Sequence, residues 1–262
     1  LGVGLRLGHA AASALREPAA MAALKRLLAE GGYYVFTING FPYGAFHGRA
    51  VKEDAYKPDW SDPLRLAYTD SLADILSELL PAGEEGSVST VPCTFKPWAA
   101  GRIDAITEHL IRHVAHLVAI AARTGQTLSL ALEPEPYCYL ETIEETVGFF
   151  KERLFGRAGV ARLAALSGLS APQAEAAMRK HIGVCYDVCH AAVEFEDPAQ
   201  SIAQLRANGI LVGKLQLSSA LKVAALDADS ARQLAAFAEP VYLHQVVQKS
   251  GEALRRFVDL PQ

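Results

Sequence analysis

Strand-like runs alternate with helical ones along nearly the whole chain, and this alternation decides the fold class. Runs rich in β-branched and other apolar residues fall at 3–7, 33–39, 88–91, 128–133, 183–188 and 211–217, with a weaker one at 241–247. Between them, stretches of Ala, Leu, Glu, Lys and Arg place apolar residues at three- and four-residue steps, which predicts helices over 19–30, 63–80, 102–123, 143–154 and 199–208. Asp62-Pro63 and Asp197-Pro198 have the form of an N-cap followed by Pro in the first turn, and Gly125 and Gly209 stand where a left-handed residue ends a helix. An additional helical insertion is expected at about 157–180, with a helix start at Ser170. Strand–helix repetition of this kind predicts a parallel sheet with crossover helices.

A parallel sheet is either open and doubly wound or closed into a barrel. An open sheet that binds a nucleotide carries a glycine-rich turn after its first strand. Here Leu7 is followed by Gly8-His-Ala-Ala-Ala-Ser, and no Gly-Lys-Ser/Thr triplet occurs. Instead, a polar or charged residue stands near the C-terminal end of nearly every predicted strand, which is where barrel active sites lie. The expected fold is therefore α/β, a TIM (β/α)8-type barrel of parallel strands with outer helices, spanning residues 1–262 as a single domain.

Side chains alternate across a strand, so each strand divides into two faces. Leu128, Leu130 and Leu132 share one face, suited to packing against helices, while Ser129, Ala131, Glu133 and Glu135 share the other. The same division groups Cys185, Asp187 and Cys189, with His190 following, and separates Lys214, Gln216 and Ser218 from Leu215 and Leu217. Thr37 and Asn39 share a face, as do Gly4 and Arg6. If these faces converge, the barrel mouth carries Glu133, Glu135, Asp187, His190, Gln216 and Asn39. Crowded carboxylates raise one another's pKa unless a cation neutralises them, and oxygen-rich ligands with one imidazole suit Mn, Mg or Co, with Zn also admitted. The plainer alternative is that these residues simply end strands.

Several classes of function are excluded or disfavoured. The 262 residues are 51% hydrophobic with a formal net charge of −4, which gives no basic surface for nucleic acid. No apolar run approaches the roughly 20 residues of a membrane helix, so no membrane insertion is expected. Four cysteines in a chain of this length do not make a disulfide framework and fit a reduced, cytoplasmic protein. Cys185 and Cys189 lack a zinc-ribbon spacing and read as core filling. His109, His113 and His116 follow helical spacing and read as a half-buried row rather than a shared metal site.

Ala131-Leu-Glu-Pro, Cys185-Tyr-Asp-Val-Cys-His and Lys214-Leu-Gln-Leu-Ser-Ser resemble the strand ends of the xylose-isomerase-like TIM barrels, a superfamily of sugar isomerases, epimerases and an endonuclease branch. More narrowly, Phe36-Thr-Ile-Asn-Gly-Phe-Pro-Tyr-Gly-Ala-Phe-His-Gly48, Val51-Lys-Glu-Asp-Ala-Tyr-Lys-Pro-Asp-Trp60 and Ala192-Val-Glu-Phe-Glu-Asp197 resemble the Ebo-type proteins, barrels associated with metabolite traffic. The superfamily resemblance implies a metal held by a strand-five Glu and a strand-six Asp, which fall on Glu133 and Asp187. It implies a substrate-side His at His190. The third ligand position is His in the family and Gln216 here, and the last Glu has no counterpart. The resemblance also sets 3–7 at the second barrel strand, so the N-terminal strand and the C-terminal part of the barrel are expected to be missing from this sequence.

Two functions follow as expectations. In the first, the chain is a divalent-metal-dependent isomerase or epimerase acting on a small polyhydroxylated or carbonyl metabolite. Glu133 and Lys214 would be catalytic, Glu133, Asp187 and Gln216 would hold the metal, and Asn39, Phe41, His47, Trp98, Glu135 and His190 would bind substrate. In the second, the barrel is a non-catalytic carrier of an apolar or aromatic metabolite, covered by a lid with Phe41, Tyr43, Phe46, Tyr56, Trp60 and Trp98. Lys214, if buried, would need a carboxylate partner such as Glu133 or Asp187.

Overall fold

Leu128, Leu130 and Leu132 are all fully buried, as their shared strand face predicts, and what buries them is a long amphipathic helix. That helix turns Leu110, Val114, Leu117 and Ile120 toward the sheet. Each leucine buried this way contributes about 1.5–3 kcal/mol. The same arrangement repeats along the chain in the computed structural model, which describes residues 1–44 and 50–261.

The elements run β1 (Gly2–Arg6), α1 (His9–Leu15), α2 (Pro18–Glu30), β2 (Tyr34–Asn39), α3 (Pro63–Leu79), β3 (Glu85–Thr90), α4 (Ile103–Thr124) and β4 (Thr127–Leu132). They continue with α5 (Ile143–Phe149), α6 (Arg157–Ser167), α7 (Ala171–His181), β5 (Ile182–Asp187), α8 (Val188–Val193), α9 (Pro198–Ala207) and β6 (Leu211–Gln216). Last come α10 (Ala228–Ala235), β7 (Val246–Ser250) and β8 (Ala253–Phe257). Strands β1 to β6 form one parallel sheet in sequence order. The caps fall where the sequence sets them. Asp62 accepts from the Leu64 N–H and Asp197 from the Gln200 N–H, while Gly125 and Gly209 take φ of 73° and 64°. The expected insertion is the pair α6 and α7, the second opened by a Ser170–Gln173 capping box.

The sheet is curled. Neighbouring strands lie about 4.8 Å apart, so β3 and β6 would be about 14 Å apart in a flat sheet, beyond the reach of one side chain. Yet Lys214 Nζ on β6 donates to Ser89 Oγ on β3 at 2.9 Å. Small residues on the concave face, among them Ser87, Ser89, Ser129, Ala131, Gly183 and Gly213, leave room for this curvature. The architecture is an α/β barrel wall of the TIM type, six strands long, with β1 and β6 at its edges.

Two expected elements differ. The weak strand at 241–247 is not a seventh wall strand: only Val246 and Val247 of it are extended, and they pair antiparallel with β8 in a separate hairpin. An apolar run does not reveal the sense of its pairing. The helix expected over 143–154 is α-helical to Phe149 and then widens into a π-turn over Phe150–Leu154. Trp60, expected in a lid, is fully buried core, its Nε1–H donating to Thr90 Oγ1 at 3.2 Å. No described helix is long and apolar enough to cross a membrane.

Candidate functional site

In a parallel sheet, residues in register share a face, so the strand ends of β4, β5 and β6 bring their polar residues together. Asp187 is in register with Gln216, and Cys185 with Lys214. Glu133 follows directly on Leu132, the end of β4. Glu133, Asp187 and Gln216 then meet on the concave side. The Gln216 amide nitrogen donates to Glu133 Oε1 at 2.9 Å and to Asp187 Oδ2 at 2.6 Å. Carboxylates are acceptors only, so the amide presents its NH2 to them and spends both N–H bonds in bridging the pair.

His190 stands beside this bridge. Its Nδ1 lies 3.2 Å from the Pro134 carbonyl oxygen and 3.9 Å from Glu133 Oε1. Asp187 Oδ1 also accepts from Ser218 Oγ at 2.5 Å and from the Cys189 N–H at 2.9 Å, capping α8. Glu135, two residues on, is half-buried; its Oε1 accepts from Tyr56 OH at 2.6 Å and from Gln245 Nε2 at 3.3 Å. Gln245 belongs to the segment leading into β7, so the C-terminal hairpin region contributes a hydrogen bond to the site.

The electrostatics follow from burial and mutual proximity. Burial, reinforced by Glu135 and Asp187, raises Glu133 to about 7 against the opposing pull of His190 and Lys214. Burial also raises Glu135. For His190, burial alone would lower the pKa, but the Cys189 side chain and the carboxylates of Glu135, Glu133 and Asp187 override it and hold it at about 10. Asp187 is lowered despite burial, by His190 and its donors Ser218, Cys189 and Gln216.

A divalent cation fits this set of donors. Glu133 Oε2 is buried without a hydrogen-bond partner among the described residues, a costly condition for a carboxylate oxygen. Asp187, Cys189 and His190 each offer a ligand atom, all within 4.8 Å of one another.

The structure therefore brings together Glu133, Glu135, Asp187, His190 and Gln216. Lys214 reaches the same concave face but takes the Ser89 hydroxyl rather than Glu133 or Asp187 as its hydrogen-bond partner. Asn39 is less involved: its Oδ1 accepts from the Phe41 N–H at 3.0 Å and holds the turn after β2. Phe41 packs edge-on against Tyr56 at 5.8 Å, Tyr56 stacks on Phe95 at 5.3 Å, and Phe95 meets Trp98 at 5.2 Å. Phe41 and Trp98 thus belong to one aromatic row that reaches Glu135 through the Tyr56 hydroxyl. His47 and Phe46 lie outside the described residues. Sequence reasoning missed Gln245 altogether, named Tyr56 only as a lid aromatic and assigned Cys189 to the core. It is half-exposed, whereas Cys93, Cys138 and Cys185 are buried. The His109, His113 and His116 row is not a shared metal site: these side chains bond the Trp60 carbonyl, Asp70 and Asp74 separately.

No protein-family model matches the chain, and no curated protein does. Among solved structures, a D-tagatose 3-epimerase-like protein is similar over 82% of this chain and 65% of its own, at 14% identity and a TM-score of 0.49. A xylose isomerase domain protein from Planctomyces limnophilus is similar over 82% of this chain and 72% of its own, at 14% identity and a TM-score of 0.46. The IolI protein, with a zinc atom, is similar over 80% and 60%, at 14% identity and a TM-score of 0.42. The chain spans slightly less than two thirds of the first of these proteins and of the third.

Proposed function

We propose that the chain is a divalent-metal-dependent isomerase or epimerase acting on a small polyhydroxylated or carbonyl metabolite in a reducing, cytoplasmic setting. The observation that carries the reading is Glu133: a buried carboxylate with a pKa of about 7, one unbonded oxygen, and a second carboxylate bridged to it through Gln216. A base moving a proton beside a carbonyl works best when its pKa lies near the working pH. Glu133 and Asp187 would hold the cation, with Gln216 turning its amide to offer Oε1. When bound, the metal supplies Lewis-acid polarisation of neighbouring substrate oxygens.

The remaining steps belong to the chain's own side chains. Glu133 removes a proton from the carbon beside the carbonyl and returns it. His190 sits beside the substrate oxygens, and Glu135, fixed by Tyr56 and Gln245, accepts from a substrate hydroxyl. Lys214 on the same face adds positive charge beneath the reacting oxygens.

Metal analysis of the purified chain should find a divalent cation that Asp187→Asn removes. Incubation with keto sugars in D2O should then exchange the proton next to the carbonyl in the wild type and not in Glu133→Gln. A folded, metal-free protein without exchange sinks the proposal. The Phe41–Tyr56–Phe95–Trp98 row favours a second reading, a carrier of an apolar or aromatic metabolite of the Ebo type. Tight binding of such ligands with no sugar exchange would support the carrier instead.

A further inference from the structure

The turn that ends β5 gathers three different kinds of ligand within four residues. Asp187 closes the strand and caps α8 through the Cys189 N–H at 2.9 Å. The chain changes there from an extended to a helical course, and this sets Cys189 and His190 beside the Asp187 carboxylate rather than on opposite faces of a strand. The thiol, carboxylate and imidazole donor atoms all fall within 4.8 Å of one another. The carboxylate is steadied by Ser218 at Oδ1 and Gln216 at Oδ2, and the imidazole by the Pro134 carbonyl at 3.2 Å. Such outer partners fix the orientation of groups that bind metals.

A second observation points to the same place. Glu133 is 5% exposed and its Oε2 lacks a partner among the described residues, while its Oε1 sits 3.9 Å from the His190 ring and shares the Gln216 amide with Asp187. Gln216, with both N–H bonds given to carboxylates, supplies no donor atom to a cation in this arrangement. Cys189 does, and it is half-exposed, so an ion can reach it.

We propose that Cys189 Sγ is a metal ligand, joining Asp187, His190 and Glu133 in a mixed thiolate, imidazole and carboxylate site that takes zinc or cobalt(II) in preference to manganese or magnesium. The inference rests on the metal reading above and sharpens it. Soft thiolate selects zinc-class ions, whereas an all-oxygen set suits magnesium and manganese. On binding, Cys189 loses its S–H proton and the His190 imidazolium its N–H proton as the sulfur–metal and nitrogen–metal bonds form; both protons pass to water, so uptake of the ion releases acid.

The test uses the full chain, stripped with a chelator and titrated with cobalt(II) while the sulfur-to-cobalt charge-transfer absorption is recorded. The band should saturate stoichiometrically, persist in Cys185→Ser and vanish in Cys189→Ser. Zinc affinity of Cys189→Ser should fall at least about tenfold, the lower range seen even for outer-shell losses. In the wild type, zinc should protect Cys189 from alkylation, read by mass spectrometry, and manganese should not. Stoichiometric cobalt binding without the thiolate band, or alkylation of Cys189 unaffected by zinc, overturns the role of Cys189 and leaves the metal reading standing. Binding of manganese or magnesium but not of cobalt or zinc likewise overturns the role of Cys189 alone, and failure of all four ions to bind overturns the two together.

Discussion

Replacing Arg256 tests how the C-terminal hairpin is tied to the barrel wall. Arg256 lies on β8, and its Nε and Nη2 donate to a single oxygen of Glu194 at 2.9 and 2.6 Å. The Glu194 side chain is fully buried, whereas that of Arg256 is 31% exposed. Hydrogen bonds to a charged group contribute about 1.5–3 kcal/mol each, and the partial exposure of the arginine favours the lower figure. Arg256→Leu should therefore cost about 3 kcal/mol near neutral pH, at the low end for breaking a buried ion pair. Much of that loss is the Glu194 charge left without a partner. The double variant Glu194→Leu/Arg256→Leu should consequently recover most of it, ending within about 1 kcal/mol of the wild type. The pH dependence has a definite sign. Burial raises Glu194 above its ordinary 4.5 while Arg256 opposes the rise, so losing Arg256 raises it further. The penalty of Arg256→Leu is then small where the carboxyl is protonated, below its unfolded pKa, and grows as pH rises through the folded value. Urea unfolding of the four proteins at acid and neutral pH measures this. Losses that add in the double variant, or that are equal at the two pH values, would refute the reasoning.

Two further outcomes are expected. A Cβ on Gly183 would stand 2.1 Å from the Leu211 carbonyl oxygen and 2.7 Å from the Leu211 Cβ, so Gly183→Ala should force β5 and β6 apart and cost at least about 3 kcal/mol by chemical denaturation; a loss below about 1 kcal/mol would show that the register of the two strands adapts. His116 is raised above its ordinary 6.5 by Asp74, against burial, and Asp74 falls below its ordinary 3.8 because His116 and nearby arginines outweigh burial. Their bond should therefore contribute fully between about pH 4 and 6.5, up to about 1 kcal/mol given the exposure of Asp74, and fade as pH rises through the folded His116 value or falls through that of Asp74; unfolding titrations of wild type and His116→Asn should converge at both ends, and parallel curves would refute the pairing.

Local periodicity made part of the site legible. Period-two alternation on β4, β5 and β6 sorted Glu133, Asp187, Lys214 and Gln216 onto one face because side-chain direction on a strand depends only on neighbouring residues. Parallel register then aligned Asp187 with Gln216 without any further information. What was not legible depends on distant parts of the chain. Glu135 is held by Tyr56, 79 residues away, and by Gln245, 110 residues away, and no periodicity links those positions. Lys214 finds Ser89 only because the sheet curls across three strands. Curvature arises from the small residues of several strands together. Cys189 was assigned to the core because it lacks a zinc-ribbon spacing to Cys185, although alternation places it on the Asp187 face; what alternation does not show is that the backbone turns helical after Asp187, which brings His190 to that face as well.

That change of course at Asp187 links the fold to the chemistry. A strand that continued would have kept Cys189 on the face of Asp187 but left His190 on the opposite one. Because Asp187 ends the strand and caps the next helix, one carboxylate oxygen is committed to the Cys189 N–H and Ser218, and the other to Gln216. Gln216 in turn holds Glu133, so this buried carboxylate and the turn that gathers Asp187, Cys189 and His190 are joined through one amide. A cation entering between Glu133 and Asp187 has to displace both N–H bonds of that amide. Its affinity then depends on what the neighbouring turn returns in donor strength, and the turn supplies a thiol and an imidazole within reach.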